Sequence, residues 1–319
     1  MSGLIGTGRR AVAVGGGTGL PLVLRRLLDL GFETTAIVTM ADDGGSSGVL
    51  RRQLGALPPG DVRNCLVAMA AEPEGLRARM FQYRFEMGEG LAGHALGNLV
   101  LAALAEESGS FVEAIEAASE FLRVRGRVLP STLADVHLHG VDRDGAEVFG
   151  QALLAANPTP VERAYLEPSD PPAYEPALQA LSEADVIVIG PGSLYTSIVP
   201  NFLVAGVADA VRASDAKRIY LCNVANLRGE TLGLGAADHV EALVAHGLQG
   251  CIDVAVLNAP GGLACEDGSG PEHVDVCPED VERIEALGIE VLTRDLADDA
   301  HAEKHDAAKL ASVLEEVCA

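Results

Sequence analysis

The chain of 319 residues has no tryptophan, only 4% aromatic residues and three lysines, Lys217, Lys304 and Lys309. None of the lysines falls near the glycine-rich segments of the first half, so a phosphate-cradling Gly-Lys-Ser/Thr loop and a Schiff-base lysine are both excluded there. Cysteine is present six times (65, 222, 251, 265, 277, 318) but never as a C-x-x-C pair, and reduced, mostly buried thiols are expected. No apolar run approaches the roughly 18 residues of a membrane span. Met1 to Arg10 is a short polar lead without an apolar h-region, so no secretory signal is expected and the location is expected to be cytoplasmic, with no membrane insertion. Positive charge is scarce as well. With 23 basic against 46 acidic residues the net charge is −23, which disfavours nucleic acid and anionic membranes as partners. An anionic ligand must then be held by local dipoles and a few arginines.

What is abundant is glycine, and it is concentrated. Gly15-Gly16-Gly17-Thr18-Gly19 lies between the apolar run Ala11 to Val14 and a segment with Leu20, Val23, Leu24, Leu27 and Leu30 at helical spacing. This predicts a strand, a tight turn and a helix start, where bare N–H groups and the helix dipole favour a phosphate. The third glycine of G-x-G-x-x-G is missing, because Leu20 stands in its place, which disfavours a nicotinamide-dependent dehydrogenase. A second loop, Asp42-Asp43-Gly44-Gly45-Ser46-Ser47-Gly48, follows the β-branched run Thr34 to Met40. Asp42 or Asp43 there suits a ribose contact or a divalent cation such as magnesium. In the third loop, Pro58 to Asn64, Asp61 is the expected N-cap of the run Val62, Cys65, Leu66, Met69, with Arg63 and Asn64 on the first turn within reach of a ligand.

Further along, glycines 90, 93 and 97 surround His94, which is read as a hydrogen-bonded structural histidine at a helix start. Ser110 with Glu113 forms a capping box for a helix over Phe111 to Leu122. Asp135 to Val141 and Ala146 to Gln151 flank Asp142-Arg143-Asp144-Gly145, a hairpin signature, and His137 and His139 on it are read as a solvated strand face. The proline-rich stretch Asn157 to Pro176 reads as a connector, with a possible internal boundary near 160–180. In the second half, Asp185 to Ile189, Arg218 to Cys222 and Asp253 to Leu257 are buried-strand patterns. Each is followed by polar and glycine residues: Gly190 to Ser197, Asn223 to Glu230, and Asn258-Ala259-Pro260. Ile289 to Leu292 and a helix over about Asp306 to Val317 close the chain, with His301 and His305 read as a surface helix start. Repeated strand, loop and helix with polar carboxyl ends predicts an α/β fold: a doubly wound, mostly parallel Rossmann-like sheet with helices on both faces and a small hairpin excursion.

The strings GGGTGL, ADDGGSSG, PPGDVRNCL, GHALGNL and GPGSLYTSIVPN together resemble the gluconeogenesis-factor family (YvcK type), a branch of the 2-phospho-L-lactate transferase (CofD-like) superfamily. The resemblance runs from about residue 10 to the C-terminus and implies a single CofD-like α/β domain over 1–319. It implies a cytoplasmic protein that binds a UDP-sugar, typically UDP-N-acetylglucosamine, and supports cell shape and growth on gluconeogenic carbon sources, with a homo-oligomer and a cell-wall regulatory partner as expectations. It places Gly15, Gly16, Gly17, Thr18, Gly19, Asp42, Asp43, Gly44, Gly45, Ser46, Ser47, Gly192, Ser193, Tyr195, Thr196 and Asn223 along the nucleotide crevice, with Asn98 and His239 as further candidates. The family often carries Thr-Gln-Pro-Gly-Glu after the strand asparagine. Here Leu227-Arg228 replaces Gln-Pro ahead of Gly229-Glu230, so the family's sugar contacts in that loop are not carried over.

Two function classes follow. One is a UDP-sugar-binding regulatory module. The other is a metal-dependent transferase acting on a deazaflavin, as in coenzyme F420 synthesis, with Asp42 or Asp43 holding magnesium against a diphosphate leaving group. No catalytic nucleophile and base stand at a recognisable spacing.

Overall fold

In the computed structural model, residues 5–259 and 273–319 are described. The expected loop residue Pro260 and Cys265, for which a reduced thiol is expected, lie outside them. A seven-stranded sheet forms the centre, built from β1 (Arg10–Gly15), β2 (Glu33–Val38), β3 (Arg127–Pro130) and four later strands. A second, three-stranded sheet is inserted between them: β4 (His137–Asp142), β5 (Glu147–Phe149) and β6 (Val161–Glu167). The central sheet then continues with β7 (Val186–Ile189), β8 (Lys217–Leu221), β9 (Val254–Asn258) and β10 (Glu290–Arg294).

Across the central sheet the order is β10-β9-β8-β7-β1-β2-β3, and every pairing is parallel. β1 therefore has β2 on one side, Ala11 opposite Thr34, and β7 on the other, Ala11 opposite Val186. The chain winds outward from this pair in both directions. In a parallel sheet covered by helices both faces are dry, which is why Ala11–Val14 and Val186–Ile189 are continuous apolar runs and fully buried. The helix Leu20–Asp29 buries Leu20, Val23, Leu24 and Leu27, the 3.6-residue face expected of it.

Several expectations are corrected at this level. The second loop is only half a loop, since residues from Gly45 onward form the helix Gly45–Leu54. The presumed connector contains β6, which pairs antiparallel with β4 and completes the small sheet, so the proline-rich stretch carries structure of its own. The hairpin of β4 and β5 forms as expected. His137 is exposed on it, but His139 is buried, accepting from the Gly150 N–H at Nδ1 and facing Glu167 Oε2 at 3.1 Å. His305 lies outside any helix; its Nε2 is 3.1 Å from the Cys222 carbonyl, and burial pushes its pKa down to about 4. Four cysteines (65, 222, 251, 318) are free and buried, whereas Cys277 is disulfide-bonded, against the expectation of reduced thiols throughout.

Two helix starts follow their signals. Ser110 Oγ accepts from the Glu113 N–H at 3.3 Å, opening the helix Phe111–Leu122. Asp306 accepts from the Ala308 and Lys309 N–H groups, both at 2.8 Å, and opens the last helix, Ala307–Val317. Asp306→Ala removes both acceptors and is expected to lower stability by about 1 kcal/mol, readable as a shifted urea midpoint at unchanged slope.

Candidate functional site

Where strand order reverses, the turns leaving β1 and β7 meet at the carboxyl edge of the sheet. Their contact is tight. A Cβ on Gly19 would lie 2.9 Å from the Pro191 carbonyl oxygen, and one on Gly192 would lie 3.2 Å from that of Gly16. Asn201 ties the two together, donating from Nδ2 to the carbonyls of Gly15 at 3.2 Å and Ser197 at 2.8 Å. Asn223, at the end of β8, exchanges two hydrogen bonds with the Gly192 backbone, at 3.2 and 2.7 Å. The turns are thus backbone surfaces held from below.

Above them opens a cleft of about 420 Å³ lined by Gly17, Thr18, Asp42, Asp61, Gln151, Ala155, Ser193, Thr196, Ser197, Leu227, Arg228 and Glu230. Three loops foreseen from the sequence, after β1, after β2 and before the helix Gly60–Ala68, therefore converge with the turn after β7. Asp61 is not the N-cap of its helix. Pro59 occupies that position, and the Asp61 carboxyl on the first turn reaches back to accept from the Gly17 N–H. A Cβ on Gly16 would sit 2.4 Å from Asp61 Oδ2, so only glycine lets the carboxyl in.

Asp42 shares this side of the cleft, accepting from the Gly44 N–H at 3.0 Å and from Ser47. Burial raises the Asp42 pKa. Burial and then the neighbouring Asp42 charge push Asp61 up to about 7, against opposing hydrogen bonding from Gly17. Near neutral pH the Asp61 carboxyl is therefore part-protonated. Asp43 is differently placed. Its two oxygens accept from the Gln151 and Ala152 N–H groups at 3.0 and 2.8 Å, capping the helix Gln151–Ala156, and its side chain does not line the cleft.

The remaining foreseen residues form a layer beneath. Ser46 Oγ lies 3.0 Å from His94 Nδ1 and accepts from Asn98 Nδ2 at 3.1 Å. Arg63 donates to Asn98 Oδ1 at 2.9 Å and Asn64 Oδ1 at 2.7 Å; burial lowers its pKa to about 10. Arg63 and Asn64 thus support the loops from behind, and His94 is the hydrogen-bonded histidine expected. Ser47 braces Asp42, while Gly44 and Gly45 start the helix that carries it. Tyr195 is buried edge-on to His246, ring centroids 5.6 Å apart. His239 is fully buried against Asn226 Oδ1 at 2.9 Å, with burial lowering its pKa to about 4, and it does not line the cleft.

Six lining residues lie outside the site read from the sequence: Gln151, Ala155, Ser197, Leu227, Arg228 and Glu230. Glu230 is buried, accepting at Oε2 from the Tyr195 and Thr196 N–H groups, 3.0 and 3.2 Å, and at Oε1 from Thr196 Oγ1 at 2.6 Å. Burial raises its pKa against these bonds. The Gly229-Glu230 pair was visible in the sequence, but nothing local says that it clamps a turn over thirty residues away. Glu230→Ala leaves three buried donors without their acceptor and is expected to cost about 2 to 4 kcal/mol. Thermal unfolding of the variant checks this.

The geometry defines a doubly wound α/β protein with a cleft at its topological switch point, the position such sheets use for binding. The family described as 2-phospho-L-lactate transferase CofD matches residues 11–297. The chain belongs to this CofD family, in its gluconeogenesis-factor branch. It is similar to the gluconeogenesis factor of Halalkalibacterium halodurans, 44% identical over 282 residues, covering 88% of this chain and 87% of that one. A relative from Nostoc sp. is 50% identical over 236 residues, 74% of this chain but only 52% of its own length. The crystal structure of a protein member of the UPF0052 family from Bacillus halodurans matches with a TM-score of 0.87 at 40% identity, covering 96% of this chain and 98% of that chain.

Proposed function

We propose that the cleft binds a nucleotide-diphosphate sugar of the UDP-N-acetylglucosamine kind, and that the protein acts as a binding component that relays the level of this metabolite to a partner controlling cell shape and growth on gluconeogenic carbon. One observation carries the reading: the small and hydroxyl residues Gly17, Thr18, Ser193, Thr196 and Ser197, from the turns after β1 and β7, line one cleft at the switch point. That arrangement suits a pyrophosphate that no lysine is available to hold.

The electrostatics sharpen the reading. Asp42, Asp61 and Glu230 all line the cleft, and Arg228 is the basic side chain among the lining residues. A diphosphate entering here meets carboxyl groups that must be neutral or covered by a cation. The paired oxygens of Asp42 and Asp61 are hard donors that fit magnesium, which commonly uses one or two carboxylates and completes its shell with water and phosphate oxygens. Bound there, the ion would neutralise diphosphate charge. Asp43 is already committed to its helix, so Asp61 takes the place beside Asp42 that the sequence suggested for Asp43. The same carboxyl pair favours the second reading, a phospholactate-type transferase, because a cation held there would neutralise the donor diphosphate as its P–O–P bond breaks and a nucleoside monophosphate leaves.

Calorimetric titration with UDP-N-acetylglucosamine and with GDP, with and without magnesium, separates the two. Saturable UDP-sugar binding without consumption of the ligand is the expected result; preference for GDP with magnesium, and turnover with a deazaflavin acceptor, would establish the transferase instead. Without magnesium, UDP-sugar affinity should fall on the order of tenfold as pH rises from about 6 to 8, because Asp61 passes from its neutral to its anionic form near 7. Magnesium affinity should rise over the same interval, since the proton it displaces is then already gone. Arg228→Ala should weaken the UDP-sugar by about 10- to 100-fold, the cost of a lost charge-assisted hydrogen bond. A change below about threefold, within what a lost weak contact gives, would remove Arg228 from the site.

A further inference from the structure

We propose that the ligand lies lengthwise along the helix Gln151–Ala156 with its sugar at the Gln151 end, and that the Gln151 amide is the side chain that reads the sugar. The inference rests on the reading of the cleft given above and adds to it an orientation and a specificity residue. The helix follows β5 of the small sheet, and several contacts fix it against the cleft. Gly150, at φ 104°, donates its N–H to the Leu138 carbonyl at 3.0 Å and to His139 Nδ1 at 3.1 Å. Asp43 accepts from the next two amides and Leu154 is fully buried. Gly229 passes so close that a Cβ there would lie 2.1 Å from the Ala155 carbonyl oxygen. A wall fixed in this way is preorganised for a ligand.

Gln151 and Ala155 are four residues apart and share one face of the helix, the face that lines the cleft. About 6 Å of helix separates them, and the two ends of this wall differ in chemistry. At the Gln151 end stands Asp42: the Cβ that Gly44 lacks would sit 3.4 Å from Asp42 Oδ1 and 3.5 Å from Gln151 Oε1. At the Ala155 end, Gly229 brings in the loop after β8 with Leu227, the one large apolar side chain among the lining residues and 43% exposed. A nucleoside base gains from an apolar wall, whereas a hexose needs partners for its hydroxyls and, when N-acetylated, for an amide. The base therefore goes toward Leu227 and the sugar toward Gln151, with the diphosphate between them over Gly17, Thr18, Ser193, Thr196 and Ser197.

The state of Gln151 supports this assignment. Asp42, Asp61, Thr196 and Glu230 are already bonded within the protein, whereas the Gln151 side chain makes no hydrogen bond among the described residues. It is half-buried, uncharged, and offers both donors and an acceptor. Beside three carboxyl groups it is suited to neutral hydroxyl and acetamido groups, and a site that bonds such groups rejects analogues lacking them.

Calorimetric titration of the full chain with UDP-N-acetylglucosamine and with UDP, magnesium present, tests the orientation. Gln151→Ala removes an amide that has no partner in the protein and should melt like the wild type. It should weaken UDP-N-acetylglucosamine about tenfold and leave UDP within about twofold. Leu227→Ala should weaken both ligands by the same factor, about three- to tenfold, since both carry the base. A Gln151→Ala variant that weakens UDP as much as the sugar nucleotide would put the nucleoside at that end and overturn the proposal. So would one that changes neither ligand, or a Leu227→Ala loss confined to the sugar nucleotide. A wild-type protein that binds no UDP-N-acetylglucosamine would overturn the reading of the cleft and this inference with it, so the two failures are told apart by the wild-type titration.

Discussion

The close approach of two turns, one leaving β1 and one leaving β7, is the contact on which the site depends. Backbone meets backbone there at distances that no side chain permits, 2.9 Å at Gly19 and 3.2 Å at Gly192 for the Cβ that glycine lacks. Everything around it keeps the turns in place: Asn201 bridges them, Asn223 fixes Gly192, and Glu230 gathers the amides of Tyr195 and Thr196. Buried polar groups of this sort contribute modestly when paired and cost several times more when orphaned, so they enforce one arrangement more than they add net stability.

The second constraint is electrostatic. Asp42 and Asp61 are brought together in a partly dry cleft whose Gly17 amide gives Asp61 only partial compensation. The fold keeps two like groups close at a cost to its own stability near neutral pH, because Asp61 must either retain a proton or ionise beside a neighbour. Destabilised charge of this kind concentrates at functional sites. Beneath it, the Ser46, His94, Asn98, Arg63 and Asn64 network supports the loops as a satisfied layer. Residues that the sequence suggested as ligand contacts are in this way divided between those that face the cleft and those that hold its walls.

Much of the fold was legible because its signals are local. Glycine turns after apolar runs announced β1 and β7, helical spacing announced Leu20–Asp29, and the caps Ser110 and Asp306 marked helix starts within a residue. Strand order was not legible, nor was β6, whose proline-flanked sequence reads as a connector until β4 is beside it to pair. Burial was equally hidden: His139 and His305 look like surface histidines, and only packing buries the first and half-buries the second.

By itself, then, the sequence determined the α/β class, the loops that carry the site and the family to which the chain belongs, because turns, caps and periodicity act over a few residues and long motifs are specific. Tertiary structure decided which carboxyl faces the cleft. Asp43 and Asp61 are equally plausible on paper, but one is consumed by the amides of Gln151 and Ala152 and the other is pulled across to Gly17. It also decided that Arg228 and Glu230 join residues from the opposite half of the chain. Hydrogen bonds and dielectric act through space, so these assignments exist only once the chain has folded.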